Sequence, residues 1–288
     1  MLKNILVPVP AAEQEELVFR CAAFLARLHS AHIAFLYVRP DMRRLVEPMI
    51  SAEFGGSAGI IQLIETLEHE SIANHDRARS AMYSFCQRED LAISPVPLDG
   101  RPTAEWRVET GEDAEWLAVH GRVADLVLVG RAQAREAGSL QLLEAALMQT
   151  GRPLLLLPPN MPDRIGNTLA IAWKDTPEAA TAITAALPFL MGAKKIVILG
   201  VIEDESVDSA ACERLRGALV WHNPAVTVQT LTSGPDTPAG TLLKAAGELG
   251  ADLLVMGGYG HSRMREMVFG GFTRHVLRET ELPVLMAH

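Results

Sequence analysis

Cysteine is scarce: the chain of 288 residues has three, Cys21, Cys86 and Cys212. They are far apart and odd in number. No Cys pair or His/Cys/carboxylate set stands at metal-ligand or redox spacing, which argues against a disulfide framework, a zinc site or a thiol redox centre. Cys21 and Cys212 fall on the apolar faces of expected helices, so they read as core residues in a reducing cytosol. Basic charge is also short. There are 26 Lys and Arg against 35 Asp and Glu, a formal net charge of −9. That balance argues against non-specific binding to nucleic acid or an anionic membrane. No apolar run approaches the roughly 20 residues needed to cross a bilayer. The opening Met1–Pro10, broken by Pro8 and Pro10, reads as a buried strand rather than a signal segment. A soluble cytoplasmic protein is expected.

Catalytic signatures are missing too. There is no G-x-S-x-G elbow. No glycine loop ends in the Lys-Ser/Thr of a P-loop, and no glycine trio opens the first strand–helix turn as a dinucleotide dehydrogenase requires. The nine histidines are scattered. His29 and His32 flank a turn, and His69 and His75 lie on a charged helix, where surface positions are expected. His261 stands apart because it sits inside a glycine-rich loop.

What is present is core-forming material and a repeat. The chain is 49% hydrophobic and 21% charged, enough for large cores, and its length suits two domains. Ala124-Asp-Leu-Val-Leu-Val-Gly130 resembles Ala251-Asp-Leu-Leu-Val-Met-Gly257, and Gly151-Arg-Pro-Leu-Leu-Leu-Leu157 resembles Glu281-Leu-Pro-Val-Leu-Met-Ala287. Two related domains follow, 1–158 and 164–288, with the proline-dense 158–163 between them. The first is longer, and its surplus around 41–80 predicts an added helical segment.

In the second half, apolar runs alternate with helical patterns. Thr176-Pro177 and Asp236-Thr-Pro238 place a hydroxyl at N-cap and proline at N1. Ile183, Leu187 and Leu190 recur on one helical face, as do Cys212, Leu215 and Leu219, and then Leu242, Leu243, Ala246 and Leu249. Val226–Leu231 alternates like a more exposed strand. Strands alternating with helices imply crossovers and a parallel sheet covered on both faces, an α/β architecture.

The run Asp252–Met256 leads into Gly257-Gly-Tyr-Gly-His-Ser-Arg-Met-Arg-Glu-Met-Val-Phe-Gly-Gly-Phe-Thr273. Glycines there can simply permit turns. They can also let a ligand approach the main chain at a helix start, where free N–H groups favour an anion. His261, Ser262, Arg263, Arg265 and Thr273 supply further donors. Spacing alone leaves both readings open.

Gly257-x2-Gly260-x9-Gly270, after a strand opened by Ala251-Asp252 and before a helix and Leu282-Pro-Val-Leu285, resembles the universal stress protein family. The resemblance extends over both halves. It implies two tandem Rossmann-like (adenine nucleotide alpha hydrolase-like) domains, each a parallel five-stranded sheet with helices on both faces. It further implies that Gly257, Gly260 and Gly270 line a triphosphate, with Thr273 contributing, and that adenine meets backbone near Val201. Ala172, Trp173, Lys174, Met256, His261, Arg263, Gly271 and Phe272 complete the implied site. Trp173 could stack on a base or belong to a core. Two positions depart from the pattern. Gly271 replaces the usual Ser or Thr, and Lys174 falls where an aspartate would meet the ribose, with Asp175 one step beyond. In the first half Pro10, the missing second glycine after Gly130, and Leu140–Ala145 leave no room for a phosphate. The implied function is a stress-response sensor or regulator binding ATP, ADP or AMP, free or with Mg2+, in the C-terminal half alone. The halves would form an intramolecular pseudo-dimer, with homodimerisation open. The rivals are a nucleotide-free scaffold and a slow ATP hydrolase using a water near His261 or Thr273.

Overall fold

A computed structural model of the chain describes residues 2–10, 15–42, 44, 58–130, 139–160, 165–202, 209–232, 237–258 and 271–288. The chain divides into two compact units, Leu2–Asp125 and Leu126–His288.

The first unit contains β1 (Asn4–Pro8), α1 (Glu15–His29), β2 (His32–Arg39), α2 (Ala58–Arg88), β3 (Ala92–Ile93), β4 (Thr103–Thr110) and α3 (Asp113–Gly121). Its strands lie in the order β3-β4-β2-β1, all parallel. β1 and β2 are near-continuous buried apolar runs, as strands covered on both faces should be. Of the surplus around 41–80, residues 58–80 lie in helix α2, which runs on to Arg88, while 43 and 45–57 lie outside the described residues. Edge-to-face contacts of Phe19 with Phe35 and Phe85, at 4.7 and 5.5 Å, tie α1 to β2 and α2. β4 carries charge instead: Glu105 meets Arg107 and His32, and Glu109 meets His120 at 2.9 Å. His75 departs from its expected surface position. Its side chain is 15% exposed, meets the Tyr37 ring edge to face at 5.4 Å and accepts from Trp106 Nε1 at 3.3 Å.

The second unit contains β5 (Leu126–Gly130), α4 (Ser139–Glu144, continued by a π-turn at Ala145–Gln149), β6 (Leu154–Leu157) and β7 (Thr168–Ala172). Then come α5 (Pro177–Leu190), β8 (Lys195–Ile202), α6 (Ser209–Leu219), β9 (Val226–Thr232), α7 (Pro238–Glu248), β10 (Leu253–Gly257), α8 (Gly271–Glu279) and β11 (Val284–Ala287). The strand order is β5-β6-β11-β10-β7-β8-β9. Neighbours run parallel except β6 and β11, which pair antiparallel through Leu154–Leu156 and Val284–Met286. With this strand order, the right-handed rule for parallel crossovers assigns α5 and α6 to one face of the sheet and α7 and α8 to the other.

Both expected helix starts form as caps. Thr176 and Thr237 take extended backbone and accept from Ala179 N at 3.4 Å and Gly240 N at 3.1 Å, with Pro177 and Pro238 following. The buried faces differ in detail. On α5 they are Ala179, Ala182, Ile183, Ala186, Phe189 and Leu190, with Leu187 half-exposed; on α7 Leu242, Ala245 and Ala246 are buried and Leu243 and Leu249 are not. Small side chains let the helices sit close to the sheet, so alanine carries much of the contact. Cys21, Cys86 and Cys212 are all buried.

The repeated Ala-Asp pair has one task in both units. Asp125 Oδ2 accepts from Lys3 N at 2.7 Å and Asn4 N at 3.0 Å, while Asp125 N donates to Asn4 O at 2.8 Å. Asp252 Oδ1 accepts from Gly166 N and Asn167 N at 3.0 Å and from Thr168 N at 3.1 Å; its Oδ2 also accepts from Asn167 N at 3.0 Å, and Asp252 N donates to Thr168 O. Each carboxylate gathers amides that would otherwise lack partners where the first strand of its repeat begins.

Candidate functional site

β7 has β8 on one side, reached through α5. On its other side is β10, reached only after the chain has passed through β9 and α7. Strand order therefore reverses between β7 and β10, and the crevice beyond their carboxyl ends is where open α/β sheets take ligands. Register sets Ala172 beside Met256 of β10 and Leu199 of β8. One residue on, Trp173 N still bonds Leu199 O at 3.1 Å. The Trp173 ring is half-buried, and its buried Nε1 finds no acceptor among the described residues. Lys174 is exposed, and its carbonyl accepts from Thr176 N at 2.8 Å. Asp175 turns to α6 and pairs with Arg214 at 2.9 Å, both side chains being more than half exposed. Val201 is the penultimate residue of β8 and pairs with Leu231.

Gly257 ends β10, and a Cβ there would lie 2.7 Å from Ala179 N and 3.0 Å from Glu178 C. The first turn of α5 thus rests directly on the strand end, so this glycine has a packing cause independent of any ligand. Gly258, which the spacing rule passes over, is close-packed too, though against a side chain rather than backbone. A Cβ would meet Leu147 Cδ2 at 2.7 Å, its N–H donates to Ala287 O at 2.7 Å and its carbonyl accepts from His288 Nδ1 at 3.0 Å. Glu178, 6% exposed in the first turn of α5, is a second residue the motif did not flag. The signal was available: an acidic residue just after a Thr-Pro helix start.

Gly271 opens α8, is exposed, and would carry a Cβ with nothing within 4 Å. A serine side chain would therefore fit where the family pattern has one. Phe272 is half-buried, while Thr273, at 5% exposed, shares the inward face with Val276 and Leu277. Gly260, His261, Arg263 and Gly270 lie outside the described residues. The structure thus brings Ala172, Trp173, Lys174, Met256 and Gly257 to one end of β7 and β10 and sets Gly271, Phe272 and Thr273 at the head of α8. In the first half, Leu143, Ala145, Ala146 and Leu147 are buried in α4 and its π-turn.

The class is a mixed α/β fold with a mostly parallel sheet, whose strand order reverses between β7 and β10. Residues 174–288 match the universal stress protein family, and that segment is a domain of this family. A universal stress protein of Synechocystis sp. is 59% identical over 34 residues; the match spans 12% of this chain and 12% of that relative's length. Among solved structures, a universal stress protein from Archaeoglobus fulgidus aligns over 99% of this chain and 95% of its own, at 15% identity and a TM-score of 0.71. A Pseudomonas aeruginosa structure described as a putative universal stress protein covers 99% and 93% at 14% identity and 0.58. The cytoplasmic domain of a prokaryotic cation chloride cotransporter covers 100% and 96% at 12% identity and 0.52. At these identities the structures share the fold. Among the described residues no helix is long and apolar enough to cross a membrane.

Proposed function

We propose that the crevice between β7 and β10 binds an adenine nucleotide, ATP, ADP or AMP, and that the protein is a stress-response sensor or regulator whose occupancy biases a conformation or a partnership. One observation carries the reading: the glycine loop of a universal stress protein domain leaves β10 at the point where strand order reverses. The phosphates would meet the main chain at Gly257, Gly260, Gly270 and the open start of α8, with His261, Arg263 and Thr273 beside them. Val201 and Trp173 would flank the base. The set fits a polyanion better than a ribose. Gly271 leaves space, and the exposed Lys174 ammonium can face a phosphate, whereas Asp175 is paired with Arg214. Mg2+ would arrive on the phosphates.

The chain is further proposed to consist of two repeats, 1–158 and 164–288, with the nucleotide site in the second only. The matching Asp125 and Asp252 anchors support the repeat. The antiparallel β6–β11 pair supports an internal pseudo-dimer, which a homodimer could extend. A cytoplasmic location goes with this reading.

Isothermal titration of the full chain with ATP, ADP and AMP, with and without Mg2+, tests it. Binding that Lys174→Glu weakens several-fold, in the range of a partly exposed charge, is expected. No heat at millimolar ATP, together with no nucleotide released from the purified protein on heating, would instead establish a nucleotide-free scaffold. That second reading is favoured by Gly257, for whose glycine the packing of α5 is a sufficient cause.

A further inference from the structure

At the end of the second unit opposite the crevice, α5 and α6 finish in two turns clamped together by one buried side chain. Asn223, 7% exposed, donates from Nδ2 to Leu190 O at 2.8 Å and Ala193 O at 2.7 Å, and its Oδ1 accepts from Ala225 N at 2.9 Å. The clamped turns present large apolar groups to solvent. Trp221 is 88% exposed, Met191 62% and Val220 36%. A tryptophan this exposed gains nothing for folding, and aromatic side chains dominate the energetics of protein interfaces. The rim is basic. Lys194 and Lys195 are exposed and make no ion pair among the described residues, while the neighbouring Arg216 is already held by Glu213 at 2.6 Å.

We propose that this patch docks a partner protein through an acidic segment that seats an apolar side chain against Trp221, Met191 and Val220. Charge decides the occupant. Two ammonium groups that make no ion pair among the described residues, on a chain of net charge −9, form a local exception that an Asp/Glu-rich segment would fit. The same net charge opposes an anionic bilayer. Clamping by Asn223 pre-sets both turns, so little ordering is needed on binding. Because the patch and the crevice are at opposite ends of β7 and β8, docking leaves the crevice open. α5 runs from one to the other, about 21 Å at the usual helical rise.

A random peptide library displayed on phage and selected against the intact chain tests the proposal, with Trp221→Ala as counter-target. Enriched peptides are expected to combine Asp or Glu with Leu, Phe or Trp. A synthetic enriched peptide should bind Trp221→Ala at least about 10-fold more weakly, the loss typical of a central tryptophan. Lys194→Glu/Lys195→Glu should weaken it several-fold in a salt-dependent way. Both variants alter exposed side chains, so unchanged thermal unfolding is expected and separates lost docking from lost fold. Three outcomes overturn the proposal. The first is a selection without an acidic consensus, or with peptides that bind Trp221→Ala equally well. The second is Trp221-dependent self-association in sedimentation, which makes a second copy the occupant. The third is co-sedimentation with phosphatidylserine vesicles that Trp221→Ala abolishes, which assigns the patch to a membrane.

Discussion

Replacing Asp252 by alanine removes the acceptor for three main-chain amides at once. Gly166 N and Thr168 N bond Oδ1 alone, and Asn167 N is shared between both oxygens. A hydrogen bond to a charged group contributes about 1.5–3 kcal/mol net. These amides are part-buried, and water would partly replace the carboxylate, so about 1 kcal/mol each is the fair figure, or roughly 3 kcal/mol in all. For a unit of this size that lowers the melting temperature by roughly 6–12 °C. Asparagine should be milder. With its carbonyl in the place of Oδ1 it still accepts from all three amides, but it loses the charge and sets its NH2, in the place of Oδ2, against the Asn167 N–H, for roughly 1–2 kcal/mol. Asp125→Ala leaves two amides, Lys3 N and Asn4 N, without their acceptor and should cost roughly 2 kcal/mol. Calorimetric melting of these variants beside the parent gives the ranking, and hydrogen exchange at 166–168 locates it. If Asp252→Ala stays within about 0.5 kcal/mol of the parent, or if asparagine harms as much as alanine, the carboxylate is not the anchor described.

Gly257→Ala forces a methyl to within 2.7 Å of Ala179 N. A destabilisation of about 1–3 kcal/mol by urea unfolding is expected whether or not nucleotide is present, because backbone must move. Asn223→Ala leaves Ala193 O and Ala225 N without their side-chain partner in a buried site, while Leu190 O keeps its bond from Ala193 N, and should cost about 2–3 kcal/mol in the same assay. Burial, with nearby positive charge including Lys3, holds His29 below its ordinary value of 6.5. The unfolded chain therefore takes up that proton first. This contribution to stability is complete above about pH 6.5 and is lost as pH falls through the lowered folded value. Urea midpoints measured downward from neutral pH should fall less steeply in His29→Gln.

The alternation of strands and helices and both Thr-Pro starts were legible in the residues because each depends on near neighbours. The inward faces were legible only in part. Leu187, Leu243 and Leu249 look inward by periodicity, yet alanines at 182, 186 and 245, beside the expected Ala246, make the contact, because close approach favours the smallest side chains. His75 read as surface because its helix is charged; its partners Tyr37 and Trp106 lie on strands far away in sequence. The glycine spacing located the crevice, but not the cause of Gly257, which is an α5 turn about 80 residues earlier in the chain. The Ala-Asp repeat was visible as similarity, while its purpose required the register that brings Asp252 to Gly166.

The β6–β11 seam has a practical consequence. A fragment beginning at residue 164 would keep its crevice but lose the partner of β11, leaving the ladder groups of Val284–Met286 bare along an outermost strand. The complementary piece has the same defect along three consecutive leucines, 154 to 156. Such raw margins recruit one another, so each severed piece should pair with itself or precipitate.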